Sequence, residues 1–390
     1  MKLVSNQISP HFSMHDALYA VKQVFVGKKD IEIQLKQELR TENVKFFNSA
    51  RTALAEIIRI VGPALKEEKK IGIPAFSCAV MATPFLTAGR EICWLDVDKS
   101  GNILFEDFEK KSDELGMVLV PDTFGQSACL EEIFTVAKQK RIFVIADGAH
   151  SFSTSTKNCH AKILSFGREK DISCISGGAL LWPNTSSFSV QFEGIYLPFP
   201  NKSWTIRHLL QPLVFALTLP WWTLGGKYIA ALCNKSKLLP RAVTQPEREG
   251  LEDFPRNMMP PEIQPILLRN IQRRSKDLEH RKKIAECWKT ELKRIFPESI
   301  ITIPNNAFRV ILTKRERPDI LHRAKKIGFH LNEWDGEPIA PRGVHLEKFG
   351  YQKGQCPNAE HFSTHYVTFP TNKRTTEKDV KRFARYFETK

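Results

Sequence analysis

The sequence predicts an α/β fold built on a mainly parallel sheet. Two observations carry that reading. From residue 50 onward, short apolar runs take turns with amphipathic stretches, which is how right-handed βαβ units look in a sequence. The runs are also nearly continuous rather than alternating, as strands covered on both faces must be.

In chain order, "ARTALAEIIRIV" (50–61) has helical periodicity and "KIGIPAF" is a short apolar strand. "AVMATPFLTAG" reads as helix ending on Gly89, and "EICWLDVD" as strand. The alternation continues through helical "NILFEDFEKKSDE", strand "GMVLVPD", helical "LEEIFTVAKQK" and strand "RIFVIAD". Two further runs, "KIL" and "ALLW", flank a polar loop that holds Arg168, Lys170 and the pair Gly177-Gly178. Further on, residues 269–294 place Ile271, Leu278, Ile284, Trp288 and Leu292 at roughly helical spacing, predicting one amphipathic helix.

With 390 residues, the chain exceeds the roughly 250–300 residues at which a single core stops growing, so one large and one smaller domain are expected. Its eight cysteines form no CxxC pair and no signal peptide opens the chain, which points to reduced thiols, a cytoplasmic setting and no metal site. The net charge of +15 suits anionic partners: nucleic acid, anionic lipid or phosphorylated small molecules. Much of the excess falls on the 269–294 helix, where a solvated face explains it. With no helix-turn-helix, zinc finger or RNA-binding signature beside it, nucleic acid is not the expected partner.

Ligands of open α/β sheets gather beyond the carboxyl ends of the strands. Asp122, Asp147 and Ser165 each end an apolar run. No GxGxxG follows the first strand and there is no Walker A loop, which excludes the usual dinucleotide and P-loop sites. Asp147 at the tip of "VIAD" is costly unless a cation meets it. Lys170 lies in a loop between two buried segments, at the height where a ligand would sit.

The blocks "NSARTAL", "IPAFSCAVMATPFLTAGREICWLDVDKSGNI", "DTFGQSACLEEI", "VIADGAHSF" and "SFGREKDISCISGGAL" resemble, in order and spacing, the DegT/DnrJ family of pyridoxal-phosphate-dependent sugar aminotransferases. "MMPPEIQPILLRNIQRRSKDLEHRKKIA" and "CPNAEHFSTHYVTFPTN" extend the resemblance, leaving roughly 185–250 unmatched. It implies the aspartate aminotransferase type of fold: an arm and helix over 1–45, a large cofactor-binding domain over 46–250 with an insertion at about 200–240, and a smaller C-terminal α/β domain over 251–390.

By the same resemblance, Lys170 is the catalytic lysine that forms the Schiff base with pyridoxal 5'-phosphate and shuttles the proton. Asp147 holds the pyridine nitrogen protonated, and His150 faces the phenolic oxygen. The phosphate falls to the helix start at Ala50 and Arg51, where backbone amides and helix dipole favour an anion, and to Ser165. Ala50-Arg51 replaces a more usual Gly-Thr pair, so Arg51 either adds charge to the phosphate or points to solvent. Cys78 stands where the family often stacks an aromatic residue, with Phe76 as neighbour. Ser176 replaces an acidic residue before the double glycine, and Arg256, Asn257 and Met258 occupy a segment that in the family reaches the partner subunit.

The resemblance thus implies a homodimeric aminotransferase acting on a keto-sugar, usually nucleotide-linked, with an amino donor such as glutamate. A dehydratase on the same scaffold normally lacks the lysine; a non-catalytic membrane-surface or nucleic-acid-binding protein is the other alternative. Residues 207–233, "RHLLQPLVFALTLPWWTLGGKYIAALC", are apolar, but Gln211, Pro212 and Pro220 break them as a span. Two tryptophans beside Pro220, flanked by Lys202, Arg207, Lys227, Lys235, Lys237 and Arg241, suit a segment lying in a lipid interface at about 205–235, or a subunit-packing or lid element.

Overall fold

The computed structural model describes residues 2–5, 12–26, 31–236, 238–240, 243–313, 317–331 and 336–388. Two helices, α1 (Met14–Lys22) and α2 (Glu32–Leu39), precede the sheet. The sheet's elements then run β1 (Val44–Phe47), α3 (Ala50–Val61), β2 (Lys70–Pro74), β3 (Ile92–Leu95), β4 (Leu115–Pro121), α4 (Leu130–Lys140), β5 (Phe143–Asp147), β6 (Ala161–Ser165) and β7 (Gly178–Leu181). The seven strands lie in the order β1-β7-β6-β5-β4-β2-β3. From β6 through β5, β4 and β2 to β3 every pair is parallel, and β7 alone runs against its neighbours β6 and β1.

The unbroken apolar runs follow from coverage on both faces. Met117, Leu119 and Ile145 pack with Leu54, Ile57 and Ile58 of α3, while Val118, Val120, Val144 and Ala146 pack with Ile133 and Ala137 of α4. Side chains of a strand alternate between faces, so both sets must be apolar. Each such side chain contributes about 1.5–3 kcal/mol by leaving water. "AVMATPFLTAG" forms only a short helix, Thr83–Thr87, after a 3-10 turn.

After the sheet come α5 (Lys202–Thr218), a 3-10 segment Leu219–Leu224, α6 (Gly226–Lys235), α7 (Gln264–Gln272) and α8 (Arg274–Ile295). Pro212 lies inside α5 instead of interrupting it, so the expected break falls only at Pro220, in the first turn of the 3-10 segment. No helix among the described residues is long and apolar enough to cross a membrane. Lys237 and Arg241 lie outside the described residues.

The single helix expected over 269–294 is two helices meeting at Arg273. The two parts serve different cores. Ile271 packs with Leu164 and Phe166 under the large sheet, whereas Ile284, Trp288 and Leu292 pack on an antiparallel sheet of β8 (Ile300–Thr302), β9 (Arg309–Thr313) and β10 (Tyr366–Pro370). The Trp288 indole N–H donates to the Pro370 carbonyl at 2.9 Å. Val4 and Ser5 pair with Phe329 and His330, so the first strand of the chain joins this C-terminal core.

Candidate active site

The carboxyl ends of β4 and β5 hold two acids, and a lysine near the start of β6 is buried beside them. Asp147, the last residue of β5, is 6% exposed, and its carboxylate accepts the Ala149 N–H at 2.8 Å. Burial pushes its pKa up, against the pull of that amide and of Lys170. Asp122, just past β4, is shifted upward by burial too, and accepts the Ala128 N–H at 3.0 Å. Lys162 of β6 is buried beside them. Burial lowers its pKa, both carboxylates oppose that, and its amine donates to the Ser155 carbonyl at 3.1 Å. Among the described residues Asp147 has no ion pair within 4.0 Å, and the charges of Lys170 and Lys162 act on it from further away.

Lys170 follows Ser165 by five residues, in a tight turn where its N–H donates to the Gly167 carbonyl at 3.1 Å. The turn is clamped from behind. Asp171 is ion-paired with Arg281 of α8, both buried, and also accepts the Phe152 N–H at 2.9 Å. Held this way, the Lys170 amine lies 3.3 Å from Nε2 of His150.

The His150 ring is locked on its other edge as well. Nδ1 accepts the Phe124 N–H at 3.3 Å, so a neutral ring carries its proton on Nε2 and donates to the Lys170 amine when that amine is uncharged. Burial, then the charges of Lys170 and Arg309, hold His150 well below the usual histidine range. The ring lies between Phe124 (5.8 Å, 18°) and Phe308 (5.2 Å, 26°). Phe124 takes a left-handed backbone conformation, φ 54°, which costs about 1–3 kcal/mol and aims its amide at the imidazole.

Helix α3 presents its start to the same region. The Ser49 hydroxyl caps the Thr52 N–H at 3.2 Å, and the amides of Ala50 and Arg51 have no partner among the described residues. The double glycine explains how β7 comes so close: a Cβ on Gly178 would overlap the backbone of Ser49 and Ala50. Ser165 pairs in register with Gly178, which sets it beside the helix start.

The Arg51 side chain does neither of the two things expected of it. It is ion-paired with the fully buried Glu247 and lies 5.2 Å from the Phe254 ring. Ser176 donates to the Asn48 carbonyl at 2.7 Å, a structural tie across the same junction. Cys78 is half-buried in a two-residue pairing with Ile339 and Ala340. Burial pushes its thiol up against the charges of Lys170 and Arg51, so it stays protonated. Phe76 turns into a cluster with Phe124, Phe362 and Tyr366 at 5.8, 4.8 and 5.2 Å.

Sequence reasoning missed the groups contributed by β9 and the turn before it. Asn306 donates to the His150 carbonyl at 2.7 Å. Arg309, 5% exposed, lies over Phe308 (5.0 Å) and Phe124 (5.4 Å) with no carboxylate or hydrogen-bond partner among the described residues. A charged residue opening the apolar run "RVIL" carries the same signal as Asp147 closing one, and could have been found by it.

The chain matches the model of the DegT/DnrJ/EryC1/StrS aminotransferase family over residues 23–187 and 257–388. It belongs to that family. Among curated proteins it is 29% identical, over 175 residues, to a UDP-4-amino-4,6-dideoxy-N-acetyl-beta-L-altrosamine transaminase of Campylobacter jejuni. That match covers 42% of this chain and 46% of the relative, less than half the length of either. Among solved structures, Helicobacter pylori PseC, an aminotransferase involved in the biosynthesis of pseudoaminic acid, superposes with a TM-score of 0.71 at 15% identity, covering 97% of this chain and 98% of that one. The E. coli GDP-4-keto-6-deoxy-D-mannose-3-dehydratase shares the fold at a TM-score of 0.65 and 14% identity, with 95% and 96% covered. The stretch between the two matched segments holds α5 and α6.

Proposed function

We propose that this chain is a pyridoxal-phosphate-dependent aminotransferase that moves an amino group from an amino acid, glutamate, to a nucleotide-linked keto-sugar destined for amino-sugar or surface-polysaccharide synthesis. One observation carries the reading: an amine 3.3 Å from a neutral imidazole, with a buried strand-tip carboxylate close enough for the amine's charge to act on it. The groups present fit the coenzyme. Asp147 would hold its ring nitrogen, His150 its phenolic oxygen, Lys170 its aldehyde carbon, and the amides of Ala50 and Arg51 with Ser165 its phosphate. When bound, the coenzyme supplies an electron sink for the carbon that loses a proton.

The chain's own residues do the rest. A cation at Asp147 offsets the burial that pushes this carboxyl up, and a charge-assisted hydrogen bond there contributes about 1.5–3 kcal/mol. His150 stays neutral and offers its Nε2–H as a fixed donor. The Lys170 amine takes and returns the proton, from a turn that Asp171 and Arg281 hold still. Arg309, an unpartnered cation beside this group, suits an anionic reactant, either the donor's carboxylate or a sugar phosphate. Arg51 contributes its amide only, its charge being committed to Glu247.

A dehydratase shares the fold, so the fold does not decide between the two chemistries; the presence of Lys170 favours amination. The division into an arm (1–45), a large domain (46–250) and a small domain (251–390) is supported by the separate cores, although Val4 and Ser5 pair with the C-terminal one. A homodimer in the cytoplasm completes the reading. Tyr196 and Phe199 are exposed beside the Asn257–Met258 segment, which bonds to Pro198, and mark where a second copy would pack.

The test is turnover of a keto-sugar panel with glutamate and added coenzyme, with product masses recorded. Native protein is expected to yield amino-sugar and to show the lysine-linked absorbance band. Lys170→Ala should lose the band and at least about 10²–10⁴-fold in rate. Amination undiminished in Lys170→Ala, or loss of water from the sugar without amination, would sink the reading.

A further inference from the structure

Residues 194–246, which the family's pattern does not cover, contain no Asp or Glu, while Lys202, Arg207, Lys227, Lys235, Lys237 and Arg241 supply six positive charges. The same stretch reverses the usual rule for a helical hairpin. Phe215 and Leu219 pack inward with Leu3 and Leu239, yet Leu217, Trp221, Leu224, Tyr228, Ile229 and Leu232 are each 56–76% exposed. In α6, Tyr228, Ile229 and Leu232 fall on one helix face, opposite the buried Ala230. Scattered apolar side chains on a surface need no account, but six within sixteen consecutive residues do.

We infer that α5, the Leu219–Leu224 turn and α6 form a docking element for an anionic bilayer surface. The charges choose the occupant. A two-fold interface sets each patch against its own copy, so a second chain covering this face would set the exposed Lys202, Lys227 and Lys235 against their own counterparts. Anionic headgroups neutralise them instead. Trp221 and Tyr228 have the amphipathic rings of the lipid interface, and the Lys227 ammonium lies 4.9 Å from the Tyr228 ring, its stem along apolar surface. With no spanning helix among the described residues, the element is placed on the membrane rather than through it. Its inner side reaches the lysine loop, where the Arg168 guanidinium lies 5.7 Å from the Phe215 ring.

Flotation of the purified full chain with vesicles of phosphatidylcholine, alone or mixed with phosphatidylglycerol, tests this without reference to catalysis. The protein is expected to float with the mixed vesicles at low salt and to remain behind with neutral ones. Leu224→Ser combined with Leu232→Ser should weaken binding at least about tenfold. Lys227→Gln and Lys235→Gln should each weaken it about fivefold and leave the melting temperature unchanged. The inference is overturned by a chain that does not float, by binding indifferent to lipid charge, or by a serine double variant that floats like the native chain. It is equally overturned if that variant turns a dimer into monomers on size exclusion, since a second copy would then be the occupant.

Discussion

The lysine loop and the α5–α6 excursion touch each other and obey opposite rules. Around Lys170 the protein hides charge: Asp147, Lys162, Asp171, Arg281 and Arg309 are all less than 9% exposed. Along α5 and α6 it displays apolar side chains to solvent. Both arrangements are unfavourable for a chain folding alone. A buried charge costs several kcal/mol unless paired, and exposed apolar surface forfeits the main driving force of folding. A region that breaks the folding rules and persists is one that meets something else; the proposed occupants are a coenzyme and substrate in the first case and a bilayer in the second.

Among the buried charges, the paired ones should behave unlike the unpaired. The largest effect on stability is expected from Arg281→Met, which leaves the buried Asp171 carboxylate only the longer pairing with Arg274 at 3.9 Å and should cost about 3 kcal/mol in urea unfolding. A cost near zero would mean that the clamp behind Lys170 is not the ion pair. Asp147→Asn should do the reverse to the coenzyme-free protein. Burial raises the folded pKa of Asp147, so the folded state holds its proton where the unfolded chain has released it, and stability falls as pH rises through that interval. Asparagine removes this term. The variant is expected to melt higher than native at neutral pH while losing about 10²–10³ in turnover; a lower melting temperature would show that Asp147 is already satisfied within the chain.

A smaller effect comes from histidines buried in neutral form. Burial lowers the pKa of His150, His160 and His208, the last to about 4. The unfolded chain takes up these protons near pH 6.5 and the folded one resists, so their contribution is complete above that pH and is lost as pH falls toward 4. His208 alone accounts for about 3 kcal/mol by pH 4. The melting temperature should therefore decline below about pH 6.5, less steeply in His208→Gln, and an identical slope in that variant would remove His208 from the account.

Much of the sheet was legible in the sequence because each strand is a local object. The runs ending on Asp122, Asp147 and Ser165 are β4, β5 and β6, and the helix read from periodicity over 50–61 is α3, capped by Ser49. What escaped were partnerships between distant positions. Arg281 meets Asp171 across 110 residues, and Arg51 meets Glu247 across 196. Nothing near Arg51 announces a carboxylate, so sequence could offer only phosphate or solvent. Ile271 and Ile284 fit one helical stripe in sequence, and only the existence of two cores explains why the stripe is split at Arg273.

The sequence by itself determined most of the strands and helices, and that a carboxylate and an amine stand at the ligand end of the sheet, but not the split at Arg273 or the shortness of the Thr83–Thr87 helix. Periodicity and capping act over a turn or two of chain, and so they are written in consecutive residues. Tertiary structure alone decided the imidazole's tautomer, the partner of Arg51, the clamp on Asp171 and the placing of Arg309 beside His150. Each of these depends on which distant atoms share a dry volume, and the strength of a charge or hydrogen bond there is set by that shared surrounding rather than by neighbours along the chain.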